Sequence, residues 1–478
     1  MNNKPHSIAF FTLFWCFFGS CQKLVSISPP VGDLVATQVF ASDAEATSAA
    51  AGMYSGMINV SFGYASSGIS ISTGMSADEL IPFNQNNYNI SVVELQQNQL
   101  TASNAVISQD IWDQPFATIY KANAIIQGLE NNKGVSDSVK SELTGEAEFI
   151  RAFCDFYLVN LFGEIPLVTT INYQQTSLLP RTPVAQIYQA IIADLKDAQS
   201  KMAADYSVGG GQRIIPNKWA ATALLARVYL YTDDWQDALI QSSSLINNTG
   251  LYSLVPNLNG VFLINSAEAI WQLQQNNTLS PWFNITPEAD ILIPANLNSN
   301  YSPPSYYVTS SLLNAYEPGD LRRTTWFDST LVYGSEYYFP YKYQSGPASI
   351  QPNGPDSEYY MVFRLGEQFL LRAEAETQLG QVSAAVADLN VIRVRAGLLN
   401  YSGSVVQDSL INAIFHERQV ELFVEWGHRW LDLKRSGQAL SVLSADKGFS
   451  LNSNSLLYPI PSSELTDDPN LKQNPGYQ

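Results

Sequence analysis

Asn412 to Gly437 reads NAIFHERQVELFVEWGHRWLDLKRSG, and its pattern decides the fold. The spacing predicts two helices that meet at a break. Leu410, Ile411, Ile414, Phe415 and Leu422 form an apolar stripe of helical period, with Asp408 as the expected N-cap. Glu417, Glu421 and Glu425 follow one another at intervals of four on one face. Stacked carboxylates repel, so cations must answer them. Arg418 stands three before Glu421, and Arg429 four after Glu425. Gly427 permits the break, and His428, Asp432 and Arg435 repeat the device beyond it. Beside Phe423, Trp426, Trp430 and Leu433, these charges predict a half-buried ionic lattice clamping two helices together. A catalytic carboxylate cluster is the competing reading. The structural one is preferred, because buried pairs more often fix geometry than perform chemistry. Zinc chemistry of the HExxH kind fails on spelling, since Val420 stands where the second histidine belongs.

The whole chain agrees with a helical, non-nucleic-acid protein. Its 478 residues can bury a large core. Only 14% are charged, against about 25% in an average chain. Asn, Gln, Ser, Thr and the 25 Tyr must therefore cover the surface. A formal charge of −18 repels phosphate backbones and argues against nucleic acid. A neutral-polar, tyrosine-rich surface suits a polyhydroxylated ligand.

Lys4 and the apolar run Ile8 to Phe18 have the form of a signal peptide, too short to span a bilayer. Phe18-Gly19-Ser20-Cys21 has the shape of a lipoprotein box, with Cys21 as the lipid anchor. The alternative is an ordinary signal peptide with Cys21 incidental. The expected divisions are a signal at 1–20, a lipidated cysteine and tether at 21–40, and one domain at 41–478. Cys16 leaves with the signal, so Cys154 alone remains and is expected to be inert core.

Helices are predicted at 43–59, 109–130 and 136–162, with 60–107 read as loop. Ile187, Ile191, Leu195 and Ala198 mark another after Thr182-Pro183. Residues 217–247 and 364–395 form two helical pairs. Each has an apolar residue after a tight turn and alanine three later, Trp235 with Ala238 and Val382 with Ala385. That is tetratricopeptide-like, but the pairs are not tandem. Helical pairs interrupted by long insertions are expected instead of a regular solenoid. Residues 248–362 form the largest insertion, with a possible strand at 269–275. The proline-rich tail 457–477 is expected to lie extended on the surface.

The stretch opened above resembles the C-terminal signature of SusD/RagB proteins through Glu417, Arg418, Glu421, Leu422, Glu425, Arg429, Trp430, Asp432, Leu433, Arg435 and Gly437. Further blocks occur in order: Gly145-Glu146-Ala147 with Arg151-Ala152, Gly163-Glu164-Ile165-Pro166-Leu167, Arg372-Ala373-Glu374-Ala375, Tyr458-Pro459-Ile460-Pro461 and Asn474-Pro475-Gly476-Tyr477. The resemblance implies a mainly α, single SusD-like domain, with tetratricopeptide-like pairs on one side, irregular loop insertions on the other, and little β. An N-terminal SusD-like part at about 41–250 and a C-terminal part at about 265–478 follow from it. It implies a non-enzymatic glycan-binding lipoprotein of polysaccharide utilisation, anchored in the outer membrane and facing out. The implied partner is a SusC-type TonB-dependent transporter, with no cofactor and no metal. Gln22-Lys23-Leu24 departs from the acidic run that often follows the lipidated cysteine in surface-exposed members.

Sugar rings stack on aromatic faces while their hydroxyls need amide or charged partners. The segment 76–89 offers Asp78, Phe83, Asn84 and Tyr88; 281–283 offers Trp282; 301–307 is tyrosine-rich; Trp326 is a fourth candidate. Tyr88 and Trp282 are the expected platforms, and Asp78 and Asn84 the hydrogen-bonding groups. Two other functions compete. One is a glycoside hydrolase using Glu417 and Glu421, whose i,i+4 spacing could match the required carboxyl separation. The other is a helical scaffold that binds protein alone.

Overall fold

The computed structural model describes residues 39–83, 89–280, 282–297 and 302–477. Cys21 and the tether, like Asn84 and Tyr88, lie outside them. The N-terminal helices are α1 (Asp43–Ile58), α2 (Ile69–Ser76), α3 (Ile90–Gln97), α4 (Gln114–Leu129) and α5 (Asp137–Phe162). Then come α6 (Val184–Lys201), α7 (Lys218–Tyr231), α8 (Trp235–Ile246), α9 (Leu365–Gln378), α10 (Val382–Arg395) and α11 (Gln407–Glu421). The fold is mainly helical, as the pattern implies.

From α4 to α11 each helix packs on the next, including α8 on α9 across the long insertion. The two helical pairs, separate in sequence, are therefore neighbours in space. Ala238 and Ala385 are fully buried, letting each second helix approach its partner closely. Asn217 caps α7 by accepting from the amides of Trp219 and Ala220. The insertion leaves the stack after α8 and returns to it at α9.

Several expectations need correction. Residues 60–107 are not loop, since they hold α2, α3 and a short strand. Every residue of α2 is buried, so no polar face gives it a period. Val406, not Asp408, occupies the N-cap of α11. The tail is not merely laid over the surface. Tyr458 and Ile460 are buried, and Asn474 donates to the carbonyls of Phe162 and Tyr458.

Among the described residues strand is scarce and comes in three two-stranded antiparallel sheets. The strands are β1 (Leu80–Pro82), β2 (Ala269–Leu273), β3 (Tyr306–Val308), β4 (Phe327–Val332), β5 (Ser335–Pro340) and β6 (Tyr360–Arg364). β2 pairs with β6, closing the insertion at its base. β1 pairs with β3, and β4 with β5 through the two-residue turn Tyr333-Gly334. Both turn residues have positive φ, 50° and 83°. That is the type I′ hairpin geometry that matches strand twist.

The C-terminal corner is a break between two helices, as the spacing predicts. Helix α11 ends at Glu421 and α12 (His428–Arg435) begins after Gly427 at φ 74°. A Cβ on Gly427 would lie 2.9 Å from Thr73 Oγ1, so both conformation and space require glycine. The lattice is real but wired differently, and its centre, Arg322, Arg364, Glu417 and Glu421, is fully buried while Arg429 and Arg435 at its edge are partly so. Arg418 pairs with Asp432, not Glu421, and Arg429 with Asp78, not Glu425. Arg435 joins Asp432 to Glu374. Glu417 meets Arg322 and Arg393, and Glu421 meets Arg322, Arg364 and Arg395. Glu425 meets Arg364 and Lys342. The partners come from distant segments because α11 stops at Glu421, which takes Glu425 and Arg429 off its face.

The buried charges set the response to pH. Burial pushes Glu146 and Glu288 up to about 8, and burial with the neighbouring Asp78 does the same for Glu79. In the unfolded chain a glutamate titrates near about 4.3. These three therefore hold protons that unfolding releases, and their contribution falls as pH climbs from about 4.3 toward 8. Glu421 behaves oppositely. Burial acts to raise it, but Arg395, Arg364 and Arg322 hold it well below its ordinary value. Its contribution is present at neutral pH and is lost as pH drops below about 4. His428 is kept neutral by burial and four neighbouring cations, which adds to the loss on the acid side. The expected outcome is a melting temperature that rises from pH 8 to about pH 5 and collapses below about pH 4. Calorimetry across this range checks it; a maximum at pH 8 would contradict the buried-acid account.

Candidate functional site

The lattice grips the roots of three strands. Asp78, immediately before Glu79 and β1, is fully buried and takes two 2.7 Å hydrogen bonds from Arg429. Glu79 accepts from the amide of Val424 at 3.1 Å. Arg322, just before β4, bridges Asp320, Glu417 and Glu421. Lys342, just after β5, donates to the carbonyls of Glu421 and Phe423 and to Glu425. The Lys342 ammonium also lies 3.8 Å from the Phe423 ring centroid. β1 and the hairpin are thus rooted in the same buried corner.

From those roots three aromatic rings converge. Phe83 extends β1, its amide donating to Ser305 at 2.9 Å. Tyr307 lies opposite Ile81 on β3, and Tyr337 stands on β5. The rings pack edge to face, with centroids at 6.5 Å for Phe83–Tyr307, 5.0 Å for Phe83–Tyr337 and 5.1 Å for Tyr307–Tyr337. Each is half-buried, leaving part of its surface to solvent. Burial, then the neighbouring Tyr337, raises the Tyr307 phenol, so it stays a neutral donor. On the opposite face of β5, Tyr338 donates to Glu336 at 2.9 Å under the Arg323 guanidinium. An apolar ring cluster with phenol groups, on a rigid root, can hold an amphipathic, uncharged ligand.

The segments 76–89 and 301–307 do meet here, through Phe83 and Tyr307. Other candidates do not join them. Asp78 is a structural ion-pair partner, sealed from solvent. Trp326 is 1% exposed and donates from Nε1 to the Leu258 carbonyl. Trp282 is 4% exposed and so is no platform. Large indoles gain most from burial, and both found it. Tyr337 was not anticipated. The alternation of 335–340 after Tyr333-Gly334 is the signal that marks it. The proposed catalytic pair also fails on position, since Glu417 and Glu421 are 1% and 0% exposed and locked to arginines. They cannot flank a substrate bond. Among the described residues no helix is long and apolar enough to cross a membrane, and no cluster of metal-ligating side chains occurs.

Sequence comparison matches residues 321–477 to the SusD family and residues 47–230 to the family described as starch-binding associating with outer membrane. A SusD-like protein of Formosa agariphila is 27% identical, over 98% of each chain. The starch-binding protein SusD of Bacteroides thetaiotaomicron is 34% identical, over 26% of this chain and 22% of its own. A solved SusD superfamily structure from Bacteroides vulgatus superposes with a TM-score of 0.78 at 23% identity, covering 91% of this chain and 99% of that one. A laminarin-binding SusD-like protein superposes at 0.76 with 24% identity, over 91% of this chain and all of the other. With both sequence matches in order along a continuous helical stack, the chain is a SusD-like protein.

Proposed function

We propose that this chain is a glycan-binding lipoprotein of the outer membrane that hands its ligand to a SusC-type TonB-dependent transporter. The observation that carries the binding role is the ring cluster Phe83, Tyr307 and Tyr337, held on strands rooted in a buried ionic corner. The starch-binding and laminarin-binding names among its relatives favour a polysaccharide. Cys21 would carry the lipid. Asn84 and Tyr88, in the segment that continues from Phe83, would complete the ligand contacts. The burial of Glu417 and Glu421 favours capture over cleavage. The solvent-facing side of α10, with Val391 and Val394 exposed, is a surface on which a transporter could rest.

Affinity gels containing laminarin or starch test the reading, run beside a reducing-sugar assay. Retardation without sugar release is expected. Replacing Tyr307 and Tyr337 together by alanine should weaken retention at least tenfold, about 1.4 kcal/mol. Unchanged retention would remove the ring cluster from the site, and sugar release would replace capture by hydrolysis.

A further inference from the structure

The turn between α11 and α12 is strained where it touches the strands of the ring cluster. Val424 and Trp426 lie in the left-handed region, at φ 51° and 47°, and both are buried. A β-branched residue there is an outlier, because its Cβ crowds the following carbonyl oxygen. Such backbone persists only where its surroundings over-determine it, and it gathers at ligand clamps and switch regions. The groups that fix this turn come from elsewhere in the chain. The Val424 amide donates to Glu79 Oε1 at 3.1 Å, and the Trp426 amide donates to Ser70 Oγ at 3.0 Å. The Phe423 carbonyl accepts from Lys342 at 2.8 Å.

Two of these partners are feet of the strands that carry the rings. Glu79 precedes β1, which runs on to Phe83. Its backbone carbonyl accepts from the Thr309 amide at 3.0 Å, just beyond β3 and two residues from Tyr307. Lys342 follows β5, which carries Tyr337. The Phe423 ring stacks on Phe327, the first residue of β4, at 4.5 Å and 11°. One short turn therefore bears on all four strands around the ring cluster. We infer that Glu79 is a positioning residue of the ligand site: it clamps the left-handed backbone of Val424 and so fixes β1, with Phe83, beside Tyr337 on β5. The inference rests on the glycan-binding reading above. Without that acceptor Val424 relaxes out of the left-handed region, and the turn shifts the strand feet it touches.

Burial and the neighbouring Asp78 push Glu79 up to about 8, so its carboxyl stays protonated at pH 7. Glutamine therefore reproduces its shape, neutrality and carbonyl acceptor, whereas leucine reproduces only the bulk. Glycine at 424 enters the left-handed region without steric cost and makes the clamp dispensable. The full chain is tested by retention in laminarin or starch gels, read beside the urea midpoint. Glu79→Leu should weaken retention by folded protein about tenfold, and Glu79→Gln should stay within about threefold of the unaltered protein. Val424→Gly lowers stability through its lost side chain, but Glu79→Leu added to it should cost retention less than about threefold. Fluorotyrosine resonances of Tyr307 and Tyr337, assigned by Tyr307→Phe and Tyr337→Phe, report the ring geometry without any ligand. They should move in Glu79→Leu and return in Glu79→Gln. Glu79→Asp, one methylene shorter, should move them too and serves if leucine prevents folding. Unmoved resonances, or losses that simply add in the double variant, would overturn the role of Glu79. An unaltered protein that neither gel retains would count against the glycan reading, and the resonances would still decide whether Glu79 positions the rings.

Discussion

Arg364→Leu is expected to destabilise the fold by about 3–5 kcal/mol, read as a lowered urea midpoint. Arg364 is 1% exposed and closes β6 onto the C-terminal corner. Its guanidinium gives Nε and Nη2 to the two Glu425 oxygens at 2.7 and 2.8 Å. Nη1 reaches Glu421 Oε1 at 2.6 Å, and Nη2 also reaches the Glu421 carbonyl at 2.9 Å. Leucine fills part of the space but answers none of these oxygens. Glu425 would keep Lys342, and Glu421 would keep Arg322 and Arg395, so the loss is large without being total. Arg364→Lys should recover only part of it, because an ammonium cannot span both carboxylates as the planar fork does. Glycan retention should weaken along with stability, since Glu421 and Glu425 also hold Arg322 and Lys342 at the feet of the hairpin. A cost below about 1 kcal/mol would mean that water or neighbouring arginines replace the missing charge.

Trp426→Ala should cost a comparable amount, about 3–5 kcal/mol, with little change in the denaturant slope. The indole is 2% exposed. It packs within 5.2–5.6 Å of the rings of Phe153, Tyr157 and Tyr360, which come from two separate parts of the chain. Nε1 donates to the Met361 carbonyl at 2.7 Å, and the backbone amide donates to Ser70 Oγ at 3.0 Å. Alanine therefore leaves both a cavity and an unsatisfied buried carbonyl. Trp426→Phe should cost less, since it keeps most of the ring volume and loses only the donor. Thermal or urea melts of the pair separate the two contributions. Equal losses in both variants would put the whole effect on the Nε1 hydrogen bond.

What the residues disclose in advance depends on whether an element has two different faces. Ile187, Ile191, Leu195 and Ala198 line one side of α6 against a polar side, and the helix is readable. Helix α2 is buried all round, so nothing in its residues contrasts, and it reads as loop. The charges of 417–435 are visible as a lattice, but their partners are not. Asp78 and Arg429 meet from 351 residues apart, and local spacing carries no trace of such a pair. The same limit governs the site. Phe83 and Tyr307 lie in segments whose composition marks them, whereas Tyr337 is visible only through the hairpin that carries it. Trp282 and Trp326 look like platforms in sequence because composition does not tell which side of a segment faces inward.

The β2–β6 pairing carries a consequence for how such a protein can change. The chain leaves the helical stack after α8 and comes back at α9, and the short antiparallel pair ties the exit to the return. Beyond that tie, Arg322, Trp326 and Lys342 stay fixed in the buried corner, but the exposed turns between them can grow or shrink without pulling on the helical stack. Doubling the length of a tethered loop costs only about 0.6 kcal/mol in closure entropy. The arrangement behaves as a socket with a replaceable bit: descendants can be refitted for a new polymer by rewriting one stretch while their load-carrying frame stays untouched.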